Sequence, residues 1–135
     1  MRLFEDNFTT IDYESDFKIL IIKRFNSKPM TDKIYRETLL KLLEMTLKHL
    51  PKGILLDNRE LEFPIHPDTQ AWSNKEILMP LIQCGVTTGA YVESADFIAQ
   101  LSVEQTFETK IGEHFKVRFF ENYEEAFAWL LVASN

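Results

Sequence analysis

Two short apolar runs flanking one long periodic segment limit the architecture more than any other feature of this chain. Ile19-Leu20-Ile21-Ile22 is apolar on successive positions inside a β-branched stretch from Phe17 to Phe25. A strand of that kind is covered on both faces and lies in the interior of a sheet. Asn26-Ser27-Lys28-Pro29 breaks the pattern, and Thr31 stands where it caps a helix whose first turn holds Asp32. Ile34, Tyr35, Thr38, Leu39, Leu42, Leu43, Thr46, Leu47 and Leu50 then recur at helical spacing, with Pro51-Lys52-Gly53 as the stop. Gly53-Ile54-Leu55-Leu56-Asp57 reads as a second buried strand. Strand, long helix and strand make a βαβ unit, whose two strands are parallel and whose crossover is right-handed.

The flanking segments extend the unit in both directions. Thr9-Thr10-Ile11-Asp12-Tyr13 alternates apolar with polar, and Glu14-Ser15-Asp16 supplies turn residues, which predicts an antiparallel hairpin at the N-terminus. Beyond an irregular stretch from Asn58 to Ile65, His66-Pro67-Asp68 starts a helix that Pro80 is expected to interrupt, since Met79 before it is biased away from helical angles. Gly85 closes that segment and Val86 to Val92 returns to strand. Ser94 or Asp96 opens a further helix toward Phe107, Phe115 to Phe119 alternates as a strand, and Asn122 caps a last helix with Glu125 at the capping-box position. The predicted order is β-β, β-α-β-α-β-α-β-α. This is an α/β fold in one domain spanning 1–135, with a mixed β-sheet, an N-terminal antiparallel hairpin, parallel βαβ units and about four helices.

Composition excludes several function classes. The 15 basic and 21 acidic residues leave a net charge of −6, which repels nucleic acid and anionic lipid. No apolar run approaches the roughly 20 residues of a membrane span. The N-terminus lacks a signal-peptide pattern, and a single cysteine, Cys84, forms no internal disulfide, so a cytoplasmic location is expected. His49, His66 and His114 fall outside every metal-ligand spacing, and four glycines without a Gly-x-Gly-x-x-Gly or Walker pattern provide no phosphate cradle. No metal and no cofactor is therefore expected.

One segment is a candidate site. Asp57, Asn58 and Arg59 leave the C-terminal end of a parallel strand, and His66, Asp68 and Thr69 enter a helix N-terminus. Open α/β sheets bind ligands at such strand ends, and the helix dipole there favours an anion. The simpler arrangement has Asp68 satisfying the helix end and Arg59 paired with a neighbouring carboxylate. An enzyme would use His66, Asp68 or Asp57 as acid or base. The 17 aromatic residues exceed what one small core easily hides, which points to a partner surface and self-association.

Taken in sequence, Gly53-Ile54-Leu55-Leu56-Asp57, Phe63-Pro64-Ile65, Gln70-Ala71-Trp72, the break at Pro80, Gly85-Val86 with Ala90, Leu101-Ser102-Val103-Glu104-Gln105-Thr106 and Phe119-x-x-x-x-Glu124-Glu125-Ala126-x-x-Trp129-Leu130 span nearly the whole chain. This set resembles the STAS/SEC14, or SpoIIAA-like, domain proteins of bacteria. The resemblance implies a mixed sheet packed against helices, and a regulatory, non-enzymatic module like the anti-sigma-factor antagonists. In those antagonists a phosphorylatable serine follows an aspartate in the corresponding loop and controls binding to a partner kinase. Here that loop is longer and holds Asp68-Thr69, which makes Thr69 the candidate phosphorylation site. The expected partner is an unidentified protein or a second copy in a homodimer. The SEC14 part of the likeness implies, as an alternative, a pocket for a small apolar or anionic ligand.

Overall fold

Strand order in the sheet equals strand order along the chain. The computed structural model describes residues 1–135 and holds one six-stranded sheet ordered β1-β2-β3-β4-β5-β6. The strands are β1 Arg2–Glu5, β2 Thr9–Glu14, β3 Ile19–Arg24, β4 Gly53–Asp57, β5 Thr88–Val92 and β6 Lys116–Phe120. β1, β2 and β3 pair antiparallel, and β3 through β6 pair parallel. The mixed sheet and the βαβ unit around β3 and β4 are therefore as the sequence predicts. β1 is an added edge strand, and β3 starts at Ile19 because Lys18 turns the chain with a φ of 57°.

The helices are α1 Asp32–His49, α2 Pro67–Ser73, α3 Met79–Gln83, α4 Phe97–Thr106 and α5 Tyr123–Ala133. Crossovers of one hand between successive neighbours lay their helices on one side of a sheet. The segments from α1 to α4 accordingly bury the face carrying Ile11, Leu20, Ile22, Ile54, Leu56 and Tyr91. α5 returns beneath β4, β5 and β6 and buries Ala126 and Leu130 against Ile19, Ile21, Leu55, Ala90 and Val92 on the opposite face. Gly53 admits that return, since a Cβ there would stand 2.8 Å from a Leu130 methyl.

Caps act where the sequence places them. Thr31, Asp96 and Asn122 each accept a backbone N–H of the first helical turn from Ile34, Ala99 and Glu125. The stripe on α1 is narrower than its sequence pattern, because Tyr35, Thr38, Leu39, Leu42 and Thr46 are buried while Leu47 and Leu50 lie exposed past the end of the sheet.

Pro80 does not interrupt its helix. Residues 67–83 run as one helical path in which Asn74–Leu78 forms a π turn, the Met79 N–H donates to the Asn74 carbonyl, and Met79 keeps helical angles of −61° and −48°. The wider turn leaves room for the proline ring and shifts the hydrogen-bond ladder past its missing N–H.

Candidate functional site

The connection from Asp57 to Gln70 is pinned to the molecule at intervals and exposed between the pins. Leu61 and Ile65 are buried, whereas Arg59, Glu60, Glu62, Pro64, His66 and Asp68 are exposed. Ser94 Oγ donates to the Leu61 carbonyl, and the Ile65 N–H donates to Ser102 Oγ at 2.9 Å. α4 is thereby fastened alongside the connection.

The six candidate residues do not form one cluster. Asp57 and Arg59 meet on the α5 side of the sheet, where the guanidinium donates to both carboxylate oxygens at 2.9 and 2.7 Å and the Arg59 N–H adds a bond at 3.2 Å. Burial alone pushes the Asp57 carboxyl up, but the Arg59 hydrogen bonds and the Arg59 and Lys23 charges outweigh it and hold it below the usual carboxylate range. The simpler arrangement for Arg59 is thus the observed one.

Arg59→Ala leaves that carboxylate buried with burial only partly opposed. With burial the larger effect the folded-state value then lies above the unfolded one, so Asp57 costs stability at neutral pH and acidification relieves that cost, whereas in the parent protein acidification removes stability that Asp57 supplies. Half of the Arg59 side chain is solvent-screened, and the expected cost at neutral pH is about 1–2 kcal/mol. Urea unfolding across acidic pH reads this directly, and an acid limb coincident with that of the parent protein would refute it.

Asn58 faces the other way, into the core below α1, where its Oδ1 accepts from the Nη1 of buried Arg24 at 2.9 Å. His66 caps α2 through an Nδ1 that accepts from the Asp68 N–H at 3.2 Å, and its side chain and that of Asp68 are open to solvent. Thr69 is 1% exposed: its hydroxyl donates to Asp32 Oδ1 and accepts from Arg36 Nη2 at 3.0 Å, tying α2 to α1. Arg36 also bonds Asp32 at 2.9 Å and lies 5.0 Å over the Trp72 ring. Phosphorylation of Thr69 therefore requires this bridge to open first. No acid, base and nucleophile converge among these residues, since Asp57 is held by Arg59 on one face while His66 and Asp68 stand apart at the helix entry.

Three spaces bear on ligand binding. Arg59, Glu93, Ser94, Ala95 and Glu121 line an open cleft of about 320 Å³ at the strand ends. Burial, together with the charges of Glu104 and Glu121, raises the Glu93 carboxyl there. Between the sheet and the helices, Tyr35, Leu42, Ile54, Leu81, Tyr91 and Phe115 are among the residues enclosing an apolar cavity of about 40 Å³. Pockets for small organic molecules run from roughly 300 Å³. Phe4, Phe8, Ile34 and Thr38 help line a third cleft, of about 370 Å³, between the first hairpin and α1.

The sequence reading missed two features. Arg24, which the strand pattern does not single out, is 1% exposed. The outer face of α4 carries Phe97, Ile98 and Leu101, which are 75%, 57% and 41% exposed. Leu101 follows Ile98 by three residues and Phe97 by four, which places it beside both on the helix surface, a signal present in the sequence.

No family model, no curated protein and no solved structure matches the chain. No helix is long and apolar enough to cross a membrane.

Proposed function

We propose that this chain is a non-enzymatic interaction domain of the STAS/SpoIIAA-like kind, a regulatory binding module of the bacterial cytoplasm. The observation that carries the reading is the apolar outer face of α4. Single exposed apolar residues are ordinary, but three neighbours on one helix, beside a rim of exposed connection residues, mark a contact surface. Most other aromatic residues serve the interior, since of the eleven phenylalanines only Phe17 and Phe97 are exposed. The rim beside α4 carries Glu62 and Glu93, and Glu60 pairs with Lys23 at 2.7 Å, so the complementary protein presents an apolar patch with basic side chains facing Glu62 and Glu93. A second copy of the chain is the other occupant to be tested.

Phe97→Asp combined with Leu101→Asp is expected to cost no more than about 1–2 kcal/mol, because Phe97 is 75% and Leu101 41% exposed. The same pair is expected to abolish capture of the partner from a host extract and any self-association seen by sedimentation. Capture and sedimentation both identical to the parent protein would sink the reading.

The small-ligand alternative draws on the internal cavity, whose volume in this conformation is far below that of an acyl chain's binding pocket. Native mass spectrometry that finds a co-purifying lipid would favour that alternative over the interaction domain.

A further inference from the structure

The edges of the sheet differ in what they offer a further strand. β1 slips register between Arg2 and Phe4, an irregularity of the kind that blunts an edge against pairing. β6 stays in register with β5 from Thr88 opposite Lys116 to Val92 opposite Phe120, and no strand lies beyond it. At its two ends the Lys116 N–H donates to the Thr87 carbonyl and the Glu93 N–H donates to the Phe120 carbonyl. Main-chain groups alternate sides along a strand, so the N–H and C=O of Val117 and Phe119 point away from β5 at the open edge.

Charge decides which strand fits there. Val117 and Phe119 turn toward the main core, and Lys116, Arg118 and Phe120 toward α5. Lys116 Nζ lies 5.8 Å over the Trp129 ring and the Arg118 guanidinium 5.3 Å over the Phe120 ring. Neither cation has a carboxylate within 4 Å, in a chain whose net charge is −6. Like charges on facing strands repel, so β6 is a poor partner for β6 of a second copy. β1 of a second copy fits no better, since it brings Arg2 as well as Glu5 and is irregular. Glu113 and Glu121 bound the strand, which confines an acidic stretch to the positions opposite Lys116 and Arg118.

We propose that the open edge of β6 takes up an extended acidic segment of another protein as a seventh strand. Main-chain hydrogen bonds to Val117 and Phe119 hold the segment, and two carboxylates at alternate positions face Lys116 and Arg118. The β-branched side chains between those acids lie beside Val117 and Phe119 on the other face. This edge is a different element from α4, and the proposal stands without the apolar face of that helix.

The probe is a terminally capped peptide, Thr-Val-Glu-Val-Glu-Val-Thr, whose side chains read the same in both directions and so suit either strand orientation. At saturation it is expected to slow amide exchange at Val117 and Phe119 by at least about tenfold. The Lys116 amide, already bonded to Thr87, is expected to change little. Binding is expected to weaken as salt is added, and the same peptide with lysine in place of glutamate is expected not to bind. Lys116→Glu combined with Arg118→Glu alters two exposed side chains. That variant is expected to bind the glutamate peptide at least about tenfold more weakly than the parent and to accept the lysine peptide. No binding of the glutamate peptide, binding without slower exchange at Val117 and Phe119, or equal binding of the glutamate and lysine peptides by the parent protein overturns the proposal. Protection of those two amides in the protein alone, growing with its concentration, assigns the edge to a second copy and overturns it too.

Discussion

Leu42→Ala is expected to lower the unfolding free energy by about 3–5 kcal/mol, and the midpoint by roughly 10 °C or more. Leu42 is 2% exposed in the middle of α1 and faces the apolar cavity between that helix and the sheet. Truncation removes the buried side chain's transfer free energy and also enlarges a void that the neighbours already fail to fill. The cost therefore belongs in the upper part of the range for such substitutions. A dry, apolar enlargement also creates a site for a small aromatic guest, and benzene is expected to restore part of the lost stability. Denaturant unfolding with an unchanged dependence on denaturant checks the first part. A loss below about 1 kcal/mol would mean that α1 settles onto the sheet to close the gap.

Gly112→Ala is expected to cost about 2–3 kcal/mol through close approach of main chain alone. A Cβ at position 112 would stand 2.2 Å from the Phe107 carbonyl oxygen and 2.8 Å from its carbon, and backbone atoms do not swing aside. The turn that must yield holds Phe107 against Tyr91, Phe115 and Phe119 and delivers the chain into β6. Gly89→Ala provides the comparison, because its Cβ meets the Phe115 ring edge at 2.8 Å, a side chain rather than main chain. Amide exchange along β6 is expected to quicken more in Gly112→Ala than in Gly89→Ala. Equal protection in both variants would show that the Phe107 carbonyl moves freely.

The elements legible in the sequence are those whose signals are local. The periodicity from Ile34 to Thr46 and the caps at Thr31, Asp96 and Asn122 need only a few neighbouring residues to act, and each operates in the fold as read. Pro80 misled because the rule against helical angles before proline assumes an α-helical ladder, and the π turn at Asn74–Leu78 supplies a different one. β1 has no alternation to announce it, and only pairing with Thr10–Asp12 makes it a strand.

Most of the candidate site lies beyond local reading for a similar reason. The Thr69 hydroxyl is closed by Asp32, 37 positions away, and Asn58 is turned inward by Arg24, 34 positions away. Nothing within a few residues of either position foretells that partner. Arg59 was accessible because its acid, Asp57, is two positions off.

Neighbouring strands in this sheet are also neighbours in synthesis, so each strand leaving the ribosome finds its pairing edge already made by the one before. The underside of β3 to β6 has a different history. Its only cover is the last helix, and until that helix has been translated Ile19, Ile21, Leu55, Ala90 and Val92 form an open greasy floor beneath an otherwise assembled body. A chain stalled just short of Tyr123 is thus the species most in need of a chaperone.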